Sequence, residues 1–550
     1  MSTTTVTTTT ILLPEYLENI YAEVETSFGR FLSLVREIPG GAIIINYIRA
    51  SYKNDPYRSL FELALALFAI RYFLASKFSY NEKDMVKLSD KDIDELVEEW
   101  NPEPIVLPVS DKEQWQADSN PLVIGAVASR VELQVPNGEH LKNVANLASN
   151  DFLNMSQREE TKDAAKKQIA FSGIGACGPP NFYGTQDAHA RLEEDLARFL
   201  GAERAILYSQ DFCTVPSVIA CFLKRGDIVV YDSGIALATQ KGIELSRCTA
   251  YHFNHNDMDN LEKVLADLKP MLDEGPLTRR FIITEGLFQN FGDSPDLRRI
   301  CELKKKFKYR LFLDETLSIG VLGATGRGLP ELYGIPRTDV EVTTGALSYA
   351  LGSSGGFCVG ENAMVHHQLI SSSAYVFSAA IPPYFARVAS VSLRLLQEDD
   401  SVSRLQSSIN FLYSKFKECQ KLKKLVIITS SDVSPILHLR LHRDLRSRLD
   451  LPVSYGGPGS AMEKIVQRGD EHGYFDENYN RESQILQQIV DRVLNNHNIL
   501  ITRCKRILHH EKLPLLPELM IHINVAFSES ELSEAFEAVS SEIYNVLQQL

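Results

Sequence analysis

Residues able to do chemistry cluster in three glycine-rich stretches of this 550-residue chain. In one, the apolar run ending Leu313-Asp314-Glu315 leads into Ser318 to Gly328, with glycines at 320, 323, 326 and 328. A carboxylate at the C-terminal end of a parallel strand faces the crevice where open α/β sheets bind ligands. Asp314 is therefore a candidate to hold a cofactor or substrate group, and local capping or pairing explains the same pattern equally well. A second stretch runs Gly173-Ile174-Gly175-Ala176-Cys177-Gly178, then Tyr183-Gly184-Thr185 and His189 to Glu193. Its G-x-G-x-x-G string would signal a dinucleotide site only after a strand. The preceding Thr161 to Ala170 has a helical pattern, so the glycines read as turn formers. The third stretch, Thr343 to Phe357, contains Ser348-Tyr349-Ala350 and the pair Gly355-Gly356.

Other chemistries are excluded by composition. The eight cysteines (177, 213, 221, 248, 301, 358, 419 and 504) form no C-x-x-C pair, so metal-ligand spacing is absent and buried thiols in a reducing compartment are expected. A net charge of −14 argues against a nucleic-acid partner, which would require clustered Lys and Arg.

The positioning elements follow from hydrophobic periodicity. Short apolar runs at Ala205 to Tyr208, Ile228 to Tyr231, Phe281 to Thr284 and Arg310 to Leu313 alternate with helical segments such as Asp187 to Leu200 and Asp296 to Phe307. That alternation predicts a mostly parallel sheet covered on both faces, an α/β fold. We divide the chain into an N-terminal membrane-associated region (1–100), a linker or arm (101–140), a large domain (141–390) and a smaller C-terminal α+β domain (391–550). A mobile insertion is expected over 442–480, around the turn cluster Tyr455 to Gly459. Residues 60–78 form the transmembrane candidate. Their ten Leu, Ile and Phe residues contribute roughly −3 to −6 kcal/mol to insertion, and Arg71 takes back about 3 kcal/mol. A buried amphipathic helix is the competing reading.

Taken together, the three stretches resemble the α-oxoamine synthases, fold-type I pyridoxal-phosphate transferases that condense an amino acid with an acyl-CoA. That family shows D-E-A-H-S-x-G-x-x-G-x-x-G-R-G followed by T-x-S-K-A-x-G-x-x-G-G. Asn146 to Leu153, Phe253 to Asp257 and Glu285-Gly286 are further echoes, and the likeness covers Leu141 to Pro383 in order.

The departures fall on cofactor positions. Tyr349 stands where the family lysine forms the Schiff base, and a phenol cannot make an imine. No lysine occurs between Lys308 and Lys415. Ala236 aligns with the histidine that stacks on the pyridine ring, Leu317 with the histidine of D-E-A-H, and Asp211 falls in the phosphate-binding turn. Met520 lies near the arginine expected to hold the substrate carboxylate. Asp314 is retained at the position of the aspartate that holds the pyridinium nitrogen.

Lysine-less long-chain-base subunits are known within this family, and the chain resembles them through Ile38 to Gly41, Asp55 to Arg58, Gly175 to Gly178, Asn181 to Thr185 and Gln210 to Cys213. The resemblance implies a non-catalytic chain without covalently bound cofactor, with pyridoxal phosphate on a lysine-bearing second long-chain-base subunit. The pair would condense L-serine with palmitoyl-CoA to 3-ketosphinganine, at the endoplasmic reticulum membrane with the main body in the cytosol. Membrane lipid, a small activating subunit and regulators are the further partners implied. Cys177, Gly178, Tyr183 and Ser378 are expected to contribute to the partner's site, with a small packed thiol as the equal alternative for Cys177. The rival reading is a self-sufficient pyridoxal-phosphate acyltransferase with its lysine supplied from elsewhere.

Overall fold

The computed structural model describes residue 36 and residues 39–74, 88–101, 111–455, 476–506, 508–512 and 515–550. The chain divides into two compact units, Met1–Ile105 and Val106–Leu550.

In the first unit, helices Gly41–Asn54 and Pro56–Leu74 are separated by Asp55, whose carboxylate accepts from the Arg58 amide. A third helix, Asp90–Glu99, starts with a capping box in which Ser89 and Asp92 satisfy each other's free amides. Among the described residues no helix is long and apolar enough to cross a membrane. The expected span at 60–78 is therefore not supported. Its helix begins earlier, at Pro56, and so takes in Arg58 together with Glu62 and Arg71; residues 75–78 lie outside the described set.

The second unit is built on a seven-stranded sheet. Its strands are β4 (Arg204–Tyr208), β5 (Ile228–Asp232), β6 (Thr249–Phe253), β7 (Arg280–Glu285), β8 (Arg310–Asp314), β9 (Val342–Ala346) and β10 (Gly356–Gly360), in the order β4-β10-β9-β8-β7-β5-β6. β5 to β9 pair in parallel, whereas β10 runs antiparallel to both β4 and β9. The mostly parallel α/β expectation holds, with one reversed strand. β5 and β9 are buried at every position, which is why they read as continuous apolar or small runs and not as alternating ones.

Two smaller sheets complete this unit. β1 (Leu122–Ile124), β2 (Arg130–Gln134) and β3 (His140–Asn146) pair in sequence, and β13 (Ile499–Leu500) adds to β3 in parallel. The other sheet takes the order β11 (Val426–Ile428), β12 (Ile436–Leu441), β15 (Glu518–His522), β14 (Thr502–Arg503). The expected insertion at 442–480 falls partly on residues 456–475, outside the described set. Its described flanks are tied down: Arg446 pairs with the fully buried Glu482 at 2.8 Å, and the Tyr455 hydroxyl donates to the same carboxylate at 2.5 Å.

Candidate functional site

Three adjacent parallel strands end in carboxylates: Asp232 on β5, Glu285 on β7 and Asp314 on β8. All three are buried. Asp314 accepts from the Thr316 amide (3.1 Å) and hydroxyl (2.7 Å) and from the Thr344 hydroxyl (3.2 Å). Burial, reinforced by the neighbouring Glu315 charge, still raises it to about 6. Glu285 rises to about 8, because burial and the charges of Asp314 and Asp232 outweigh the Gln289 and Ala236 amides that it accepts. Near neutrality this row therefore holds a proton on Glu285.

Asp232 is differently placed. It accepts from the Gly234 and Asn256 amides and lies 2.7 Å from His255 Nδ1, while His255 Nε2 is 3.1 Å from Asp293. Burial alone would pull His255 down, but the two carboxylates lift it to about 9, so it stands as a cation stacked on Phe291. Nothing in the sequence reading singled out this Asp232–His255–Asp293 group. Its sequence signals were separate motif positions, Asp232 at the start of the stretch that ends at Ala238 and His255 in the Phe253 to Asp257 echo.

Asp314 and Glu315 are neighbours in sequence with opposite fates. Glu315 points into the core, fully buried, where it pairs with Arg337 and accepts the Leu329 amide at 2.6 Å. It is a structural anchor, and Asp314 alone belongs to the site.

Tyr349 lies in the turn after β9, where the Gly352 amide bonds the Tyr349 carbonyl at 3.0 Å. Burial pushes its phenol up to about 12, and the charges of Asp211, Asp314 and Glu285 add to that shift. These interactions bring Tyr349, Asp211 and Asp314, far apart in sequence, into one electrostatic neighbourhood. Asp211 opens the helix Asp211–Phe222 and accepts the Phe212 amide at 2.9 Å, while the Ser348 hydroxyl donates to its other oxygen. A helix N-terminus offers free amides and positive potential to an anion. Here the chain's own carboxylate takes that place. Ala236 caps the next helix, Leu237–Ser246, and gives its amide to Glu285. Leu317 is buried in the main core, and Met520 packs against that core from β15, opposite His438 and Thr502.

Pyridoxal phosphate does not fit these residues. Tyr349 offers no amine, Asp211 occupies the phosphate turn, and Ala236 and Leu317 provide no stacking imidazole. Asp314 alone matches the group.

The remaining candidates gather around the loop 173–184. Cys177 and Tyr183 both adopt positive φ, and both are exposed, Tyr183 completely. Their loop closes on itself: a Cβ on Gly184 would stand 1.9 Å from the Gly178 carbonyl, so only glycine serves there. The Gly178 carbonyl accepts the Ala380 amide at 2.9 Å, which seats the loop beside Ser378. Ser378 ends the short helix Ser373–Phe377 and lines a cavity together with Asn181 and Thr185 of the loop. Cys177, Gly178, Tyr183 and Ser378 thus form one patch.

Residues 142–539 match the family described as aminotransferase class I and II. The chain is 42% identical to Serine palmitoyltransferase 1 of Saccharomyces cerevisiae over 526 residues, covering 93% of both chains. The chain belongs to the serine palmitoyltransferase 1 family. Other members are Serine palmitoyltransferase 1 of Dictyostelium discoideum, 33% identical over 86% of this chain and 91% of that one, and Long chain base biosynthesis protein 1 of Arabidopsis thaliana, 30% identical over 92% and 95%. The fold of this family member is also that of the solved Sphingomonas wittichii Serine palmitoyltransferase. The match has TM-score 0.63 at 19% identity and covers 79% of this chain and 96% of that one.

Proposed function

We propose that this chain is the non-catalytic, lysine-less subunit of a heteromeric serine palmitoyltransferase. Its role is to support a lysine-bearing second long-chain-base subunit that carries pyridoxal phosphate and condenses L-serine with palmitoyl-CoA to 3-ketosphinganine, the first step of sphingolipid synthesis. The observation that carries the proposal is the Asp211–Ser348 pairing beside Tyr349. The turn that would cradle a phosphate is filled from within, and the neighbouring side chain cannot form an imine. Cys177, Gly178, Tyr183 and Ser378 are proposed to complete the partner's site. The exposure of Cys177 and Tyr183, with the half-buried Gly178 and Ser378 close by, supports that role.

Purification of the chain alone and with the lysine-bearing subunit tests the proposal. We expect no borohydride-fixable aldimine from the chain alone, and serine- and palmitoyl-CoA-dependent product from a stable complex. An aldimine on the isolated chain, or full activity of the partner without it, refutes the proposal. We extend the proposal to a location at the endoplasmic reticulum membrane with the main body cytosolic, which rests on the resemblance alone. Recovery of the chain entirely in the soluble fraction of gently lysed cells refutes that part.

A further inference from the structure

The cavity that Ser378 borders has a second character on its inner wall. It offers ≈ 190 Å³, partly open to solvent, between the helix Asp187–Leu200, strand β4 and the segment 369–381.

Most polar groups on the wall are already committed. His189 accepts the Gln186 amide at its Nδ1 and lies 2.6 Å from the Ile381 carbonyl at its Nε2, and the Tyr208 hydroxyl is shared with Gln368 and Ser372 at 2.8 Å. Glu193, Arg204 and Tyr375 differ. Among the described residues no side chain hydrogen-bonds the Glu193 carboxylate, which has the Leu207 backbone beside it, and Arg204 spends one guanidinium nitrogen on Asn362 at 3.3 Å. The three act on one another electrostatically: Arg204 lowers Glu193, and Glu193 raises the Tyr375 phenol. Burial nevertheless pushes Glu193 up to about 7, a sign that its carboxylate has too little positive charge beside it.

A lone anion would meet Glu193, and a lone cation would meet Arg204. A molecule carrying both charges one or two bonds apart satisfies both, and a cavity of ≈ 190 Å³ suits a small one. We propose that this cavity binds a small zwitterionic α-amino acid, its ammonium group on Glu193 and Tyr375 and its carboxylate on Arg204. Ser378 on the outer wall is shared with the proposed partner-supporting patch, but neither Glu193 nor Arg204 has a part in it, so the site would be regulatory. Placing an ammonium group against Glu193 favours its ionised form, so binding releases a proton.

The test is calorimetric titration of the full-length chain, purified alone, with L-alanine near pH 6.5 in two buffers of different ionisation enthalpy. The expected result is saturable binding with proton release. N-acetylalanine and alanine methyl ester, each lacking one charge, should bind at least tenfold more weakly. Glu193→Gln and Arg204→Gln should each weaken alanine binding at least tenfold. Arg204 is only half-buried, so Arg204→Gln decides the matter if Glu193→Gln fails to fold. No saturable binding, equal binding by the charge-capped derivatives, or binding unchanged in Arg204→Gln overturns the proposal. Because the partner subunit is absent, failure here leaves the heteromeric reading intact.

Discussion

Restoring the missing lysine should not restore cofactor attachment, and the structure shows by how much it should fail. Tyr349→Lys would place an amine beside the charges of Asp211 and Asp314, which already raise the Tyr349 phenol. Imine formation needs the neutral amine. With an ordinary lysine pKa near 10.4, only about one amine in a thousand is neutral at pH 7.4. Each further unit of upward shift from the carboxylates costs another factor of ten. The phosphate end fails separately: a unit charge on Asp211 about 4 Å from a phosphate charge costs about 4 kcal/mol at an effective dielectric of 20, close to a thousand-fold in affinity. The Tyr349→Lys chain should therefore show no visible aldimine and no borohydride-stable adduct with pyridoxal phosphate. Adding Asp211→Gly should produce the first measurable cofactor binding, since it clears the helix N-terminus and removes one carboxylate. A strong aldimine in the single variant would refute the argument that the pocket, and not just one residue, has been given up.

Other outcomes follow from the same geometry. Arg337→Met leaves the fully buried Glu315 without its cation, and urea unfolding should show a loss of about 3–5 kcal/mol; unchanged stability would mean that the pair is dispensable. Glu285, raised to about 8, binds its proton more tightly folded than unfolded, as does His255, raised to about 9. Stability should be greatest below the unfolded pKa values and fall as pH rises from about 5 to 9. Urea midpoints across that range check the sign, and Glu285→Gln should flatten the lower part of the slope. Gly184→Ala drives a Cβ into the Gly178 carbonyl, so activity of the complex should drop several-fold while the main unfolding transition of this chain stays in place. Equal activity would show that the loop does not shape the partner's site.

The fold was legible where the sequence carries continuous apolar runs. β5, β7 and β8 are such runs, and the helix Asp187–Leu200 was readable to the residue because Gly201 stops it in a left-handed turn. The reversed strand β10 was not legible. Gly356 to Gly360 is a short buried run like its neighbours, and strand direction is set by the connection and not by composition. Residues 60–78 read as a span because the apolar count outweighed Glu62 and Arg71, whereas the helix starts at Pro56 and adds Arg58 to them. Within the site, Tyr349, Asp211, Ala236 and Leu317 could be found by aligning motifs. The bond between Ser348 and Asp211 could not, because their separation of 137 residues is bridged only by the sheet. Glu285 was legible only as a motif echo, and its raised affinity for a proton was not: that is a product of burial beside two other carboxylates, a property of strand order.

The filled phosphate turn also bears on supply. A protein whose native state binds a ligand gains stability in proportion to the logarithm of ligand concentration, and its folded population follows that concentration. Asp211 satisfies its turn from inside the chain, so this protein's folded population should be indifferent to how much cofactor the cell holds. In vitamin scarcity it would persist folded, and under the proposed function it would stay available to a partner subunit that later acquires its cofactor.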